Sequence, residues 1–477
     1  MSPAAAALTL AGGLPSPAAG AEPASLRLLS ASPSVTVRAF GKRAPLDLGV
    51  FVTPVGGDFE LRVARPDYDS PPAVAQTDSA SGAVVRELPA STLRGWRGLR
   101  RFFSVTIATR TGKVVAARAL PFCPGGFGLE RVTDEGRPVP HYPDACAPDS
   151  PFVRGTVWGL DAGWASGVAG EGSEGSSAPS VRLAPGRYVA RVRIAAPYDA
   201  LFAVRPEHVE VAVGLRVKAA PRQAPKGDYV AVSHPARRVA GVPVPTVTDP
   251  DPLTLPDLVA LPPWNIEAVR RGRRDYLSFA STPWNAGPAS LVVEGFRRPA
   301  EAVMDGYQYF YDGDGRPVGR APVGTLEFDA RPGHSHWHFL QFVRYALLDE
   351  GRQAVVRSRK QAFCLAPTDA IDLTAPGAEW TPWDSGLATM CGAPRSIWVR
   401  ETLFAGWGDT YHQGTPGQAI DVTTVRNGRY WLSVEVNPLG ALKERSTANN
   451  VELRLVTLRG KPGARRVTVA RWHSITD

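Results

Sequence analysis

The sequence predicts an all-β chain of two tandem β-sandwich-like domains, with long loops and little helix. Three observations carry that prediction. Short stretches alternate apolar and polar residues, as in RYVARVRI (Arg187–Ile194) and RYWLSVEV (Arg429–Val436), and a period of two marks a half-buried strand. Turn signals such as YDGDGRPV (Tyr311–Val318) separate them, within a total of 47 Gly and 45 Pro. Long amphipathic helical periods are scarce, so sheets must bury each other.

Hydrophobic content of 44% and charged content of 21% describe a folded globular chain. No apolar run approaches the roughly 20 residues that span a bilayer, so no stable membrane insertion is expected. Residues 1–24 read as a signal-like or disordered N-terminus. An Ala/Leu stretch leads to Ala19-Gly20-Ala21, small residues that a signal peptidase accepts, although no basic segment precedes it. Export is therefore expected. Four cysteines allow three pairings. Cys123 with Cys146 and Cys364 with Cys391 lie close in sequence and would give one disulfide per half in an oxidising compartment.

Net charge is +9. No basic run interleaves with aromatics as a nucleic-acid groove requires, so no nucleic acid partner is expected. The charge reads as a solvated surface, with an anionic wall polymer as the alternative partner.

The two strands containing GRY prompt a search for duplication. Leu93–Cys123 lies on His334–Cys364 without a gap, with seven of 31 positions identical: Trp96/Trp337, Leu99/Leu340, Val114/Val355, Val115/Val356, Arg118/Arg359, Phe122/Phe363 and Cys123/Cys364. The correspondence continues from PGRYVARV to NGRYWLSV and from Cys146 to Cys391. The expected organisation is one β domain at 25–219, a Pro-rich linker at 220–255 and a second β domain at 256–477.

PGHSHWHFLQ (Pro332–Gln341) holds three of the eight histidines: His334, His336 and His338. Positions i, i+2 and i+4 of a strand share one face, with neighbours about 6.6 Å apart, so three imidazoles can lean onto one ion. Imidazole suits Cu, Zn, Fe and Ni, and three ligands with an open position describe a catalytic metal site. The first half has Leu93, Gly95 and Arg97 at these places. The scaffold therefore does not need the histidines.

After the histidines come RKQAFCL (Arg359–Leu365) and GDTYHQGTPGQAIDVT (Gly408–Thr423). Here the sequence resembles the lysyl oxidase family, which carries a His-x-His-x-His copper motif, a Lys-x-x-Phe-Cys segment and an Asp-Thr-Tyr segment in that order. The resemblance spans most of the second half. It implies copper on His334, His336 and His338, and a lysine tyrosylquinone cofactor made from Lys360 and Tyr411. It further implies oxidation of primary amines, such as the lysyl side chains of an extracellular protein, with O2 as oxidant. The first half has Ala119 opposite Lys360 and Trp164 as the aromatic nearest to Tyr411's place. It therefore reads as a degenerate, non-catalytic copy.

Asp409 is the first candidate for a general base, because a carboxylate beside the quinone can take a proton; His412 is the other. The family has a histidine where this chain has Arg344, in VRYALLD (Val343–Asp349). A calcium site is also implied, formed by Asp257, the carbonyl of Leu258, Glu444, Asn449 and Asn450, since Ca²⁺ takes oxygen donors. Ser446 replaces a family aspartate there and removes a charge. Two rival readings remain: a non-catalytic, secreted copper-binding wall or matrix protein, and a three-histidine zinc or iron enzyme without a quinone. Only the amine oxidase needs both Lys360 and Tyr411.

Overall fold

The structure, a computed structural model, describes residues 23–39, 41–125, 129–133, 136–146, 150–169, 179–219, 244–298, 301–331, 335–357 and 362–473. Among them strands dominate, and the only α-helix is the four-residue Tyr198–Leu201. The chain is all-β, as its alternation predicts. Gly186–Ile194 shows why: Ala190, Val192 and Ile194 are buried while Arg191 and Arg193 are exposed. Each inward Val or Ile contributes roughly 1.5–3 kcal/mol by leaving water. A slip of one residue would turn the arginines inward, so the register is fixed.

The chain forms two compact units. The first takes the described residues up to Val63, then Pro72–Cys146 and from Val157 to Ala219. Its core gathers Leu26, Phe59, Phe102, Phe103 and Trp158. The second takes Ala64–Pro71, residues 150–156 and everything described from Val244 on. Its main core gathers Leu291, Met304, Trp337, Phe339, Tyr345, Phe363 and Leu432. A smaller cluster of Phe152, Leu261, Trp284 and Ile371 explains why residues 150–156 belong to it. The described end of the Pro-rich stretch also packs here, since the Val247 amide donates to the Arg320 carbonyl at 2.9 Å.

Each unit contains a five-stranded sheet. In the first the order is Ser34–Ala39, Glu210–Ala219, Gly186–Ile194, Leu99–Thr109, Val114–Phe122. In the second it is Arg466–Val469, Val451–Arg459, Gly428–Val436, Val343–Leu348, Ala354–Arg357. The last three strands of each list are the pairs that the sequence alignment matches. Only the first edge strand differs: Ser34–Ala39 runs parallel to its neighbour and Arg466–Val469 antiparallel.

A second sheet has a similar strand order in the two units. Gly155–Leu160, Phe59–Ala64, Ala73–Thr77 and Val84–Leu88 follow one another in the first unit. Trp398–Leu403, Leu291–Arg297, Val303–Tyr311 and Pro317–Asp329 follow one another in the second. There a fifth strand is added at the edge, and it is His336–Phe339. The aligned residues of the first unit, Leu93–Gly98, form no such strand.

Candidate active site

His336–Phe339 lies antiparallel to Pro317–Asp329, with Asp329 opposite His336 and Glu327 opposite His338. Alternation puts the two imidazoles on one face, their ring centroids 4.7 Å apart. Trp337 points the other way into the core, and its indole N–H donates to the Ala393 carbonyl at 2.9 Å. His338 is buried, with Nδ1 3.6 Å from an Asp329 carboxylate oxygen. The strand starts at His336, and Ser335 has a φ of 35°. Alternation therefore accounts for His336 and His338; His334 lies outside the described residues.

Lys360 also lies outside the described residues. The residues that follow it are anchored to the histidine strand. Phe339 and Phe363 exchange backbone hydrogen bonds of 2.7 and 3.0 Å. Cys364 is bridged to Cys391, whose carbonyl accepts from the Trp337 amide at 2.9 Å. Cys123–Cys146 is the other disulfide, so both local pairings hold.

Tyr411 completes the group. Its backbone exchanges hydrogen bonds of 3.1 and 3.0 Å with Ser281. Its ring sits 4.2 Å from that of Phe363, and its hydroxyl accepts from the Cys364 amide at 3.1 Å. Burial pushes its pKa well above that of an ordinary phenol, and the charge of Asp409 adds to the rise. The motifs containing the histidines, Phe363–Cys364 and Tyr411 thus meet in one hydrogen-bonded assembly.

Asp409 is buried and held by its amide on the Pro283 carbonyl at 2.9 Å. His412 is exposed, with its ring edge-on to Trp264 at 6.0 Å. Arg344 makes a two-pronged pair with Glu435, at 2.7 and 2.6 Å.

Sequence reasoning passed over Glu401, Tyr345 and Ser281. Glu401 is fully buried, and one of its oxygens accepts from the amides of Phe339 (3.3 Å) and Leu365 (3.2 Å). It ties the histidine strand to the segment after Cys364. Burial pushes its carboxyl well above the ordinary range. The available signal was its register: Glu401 falls between Val399 and Leu403, on the inward positions of Trp398–Leu403. The buried Tyr345 hydroxyl meets Ser281 Oγ at 2.5 Å and accepts from Gln418 at 3.0 Å.

The calcium candidates also come together. Asn449 donates to Asp257 at 3.1 Å, and Asn450 donates to Glu444 at 2.8 Å. Leu258 gives its amide to Glu444 at 3.1 Å. In an extended strand the carbonyl lies on the same edge as the amide, so Leu258's oxygen is on Glu444's side. The Oδ1 atoms of Asn449 and Asn450 are buried with no hydrogen-bond donor. Burial raises the Glu444 pKa, and the charge of Asp257 adds to this. Oxygen donors gathered without enough protons between them fit a hard cation.

In the first unit the described side chains bring Asp58, His141 and Asp161 within 4.8 Å of one another. Arg137, 3.5 Å from Asp161, supplies compensating charge. No described helix is long and apolar enough to cross a membrane.

The family model described as Lysyl oxidase matches residues 395–466. Protein-lysine 6-oxidase of Sus scrofa is 32% identical over 120 residues, which are 25% of this chain and 42% of that protein. The Homo sapiens protein of the same name is 32% identical over 120 residues, covering 25% of each. Lysyl oxidase homolog 3B of Danio rerio is 25% identical over 138 residues, or 27% of this chain and 15% of that one. The matched stretch thus spans less than half of each of these relatives. By these likenesses the C-terminal region of the chain belongs to the lysyl oxidase family.

Proposed function

We propose that the second unit is a copper- and quinone-dependent amine oxidase. It would convert a primary amine, O2 and water into an aldehyde, ammonia and hydrogen peroxide. The observation that carries this reading is the hydroxyl of Tyr411 on the amide of Cys364, beside a segment paired with the histidine strand.

The paired imidazoles of His336 and His338 fit copper, with His334 as the third ligand of the motif. Copper and O2 would supply the oxidising power that turns the Tyr411 phenol, joined to the Lys360 amine, into a quinone. The protein's own residues do the remaining work. Phe363 and the Cys364 amide fix the ring of Tyr411. Burial raises the pKa of its phenol, so the ring resists ionisation. Asp409, close enough for its charge to act on Tyr411, is the base proposed to take the substrate's α-proton.

Substrates would be primary amines, including lysyl side chains of extracellular proteins. Secretion is supported by the two disulfides. Calcium at Asp257, Leu258, Glu444, Asn449 and Asn450 would brace the fold. The first unit is proposed to be a duplicate without the chemistry, a reading supported by its repeated sheet orders and its missing histidine strand.

A second reading, a copper-binding wall or matrix protein without turnover, is favoured by one observation. Arg344 stands where the family has a histidine, and it is committed to Glu435. Copper-loaded protein given a primary amine decides between them. Peroxide release that Tyr411→Phe abolishes supports the oxidase; copper binding without peroxide supports the second reading.

A further inference from the structure

We propose that the outer face of the five-stranded sheet in the first unit binds a linear anionic polysaccharide. The register places Arg187 directly opposite Arg216, and Lys218 directly opposite Arg38, on three adjacent strands. All four side chains are exposed. In the neighbouring two-stranded ribbon of this unit, exposed Arg43 lies opposite exposed Arg182. Three successive cross-strand pairs therefore set cation against cation. Neighbouring strands are about 4.8 Å apart and same-face residues about 6.6 Å apart along a strand. Like charges placed this way oppose folding.

Nothing on these strands offsets the charge. Among the five, the only acidic residue is Glu210. It sits at the far end, paired with Arg191 at 3.4 Å. Arg193, also at that end, pairs with Asp199 at 3.0 Å. The second unit's equivalent sheet differs: Arg429, which aligns with Arg187, faces Thr457. The second unit's sheet carries one like-charge pair, exposed Arg459 opposite exposed Arg466, whereas the first unit's sheet sets two such pairs side by side across three strands.

The texture of the face selects the partner. Outward positions among the cations are small or aliphatic, as with Thr36, Val189, Ala212, Gly214 and Thr106. No aromatic ring stands out from it to stack a base, so a single-stranded nucleic acid is a poor fit. The face is made of strands, and among the described residues no helix longer than four residues is present to enter a duplex groove. What remains is charge pairing along a line, which suits a chain of carboxylates or sulfates. The two disulfides belong to an oxidising compartment, where glycans carry such charges. The proposal does not rest on amine oxidation, and the Tyr411→Phe chain should bind equally well.

The test is salt elution of the full chain from immobilised heparin and polygalacturonate, with duplex DNA as comparison. The intact chain should be retained on both glycans at physiological salt. The variant carrying Arg38→Ser, Arg187→Ser, Arg216→Ser and Lys218→Ser should lose that retention. Its slope of log affinity against log salt should be shallower by about 3, at roughly 0.7 per cation removed from a single-stranded polyanion. A control with Arg271→Ser, Arg273→Ser, Arg352→Ser and Arg426→Ser, all exposed on the second unit, loses the same net charge and should keep most of its retention. Equal losses in both variants, unchanged retention in the first, or tighter binding to DNA than to either glycan would overturn the proposal. Should the quadruple variant fail to fold, Arg187→Ser with Arg216→Ser makes the same comparison at half the slope change.

Discussion

The amide of Cys364 donates to the hydroxyl of Tyr411 at 3.1 Å, across 47 residues of sequence. That bond joins two of the three motifs of the second half. The backbone pair of Phe339 with Phe363 joins the third.

Tyr411→Phe removes the acceptor of a largely buried amide. An unsatisfied buried donor costs about 1–3 kcal/mol. Urea denaturation should find the variant destabilised by that amount yet folded, with peroxide release gone. A variant as stable as the parent would mean the hydrogen bond does not hold the ring.

Glu401 sets a pH dependence. Its folded pKa is raised, chiefly by burial. A raised carboxyl contributes stability that is fully present below its unfolded value of about 4.3 and is lost as pH rises through the folded value. Glu401→Gln cannot ionise and should flatten that limb of the stability profile. Glu401→Leu leaves the Leu365 amide without its acceptor and should cost about 1–3 kcal/mol at every pH. Denaturation series from pH 4 upward would read both effects.

Calcium should raise the melting temperature of the intact chain. At one hundred times Kd the stabilisation is about 2.7 kcal/mol. Asp257→Ala and Glu444→Gln should each remove it. Affinity should fall as pH drops through the raised pKa of Glu444, because protonation removes its charge. Calorimetric titration at two pH values measures this. A melting temperature indifferent to calcium would leave the buried amide oxygens of Asn449 and Asn450 unexplained.

Arg216→Thr should stabilise the first unit, since it removes one member of a directly opposed like-charge pair. The expected gain is about 0.2–1 kcal/mol, larger at low salt. Thermal melts at two ionic strengths test it.

Much of the fold was legible because alternation reports a local property. Ala190, Val192 and Ile194 face inward as their spacing predicts. Cys364 and Cys391 pair because close cysteines on one scaffold have few other partners. Ser335, with a left-handed φ of 35°, precedes the strand that begins at His336, and His334 lies outside the described residues. Glu401 was hidden because its role depends on two amides 62 and 36 residues away. The cationic face was hidden for a similar reason. Arg187, Arg216, Lys218 and Arg38 form no run in sequence, and only strand register brings them together.

The central claim is that Lys360 and Tyr411 form one cofactor. Peptide mass spectrometry on protein matured with copper and oxygen tests it most directly. The account predicts a single cross-linked species joining the Lys360 and Tyr411 peptides, with the mass of a quinone adduct and absent from Tyr411→Phe. Separate, unmodified peptides after full copper loading would contradict it and favour a copper-binding protein without turnover.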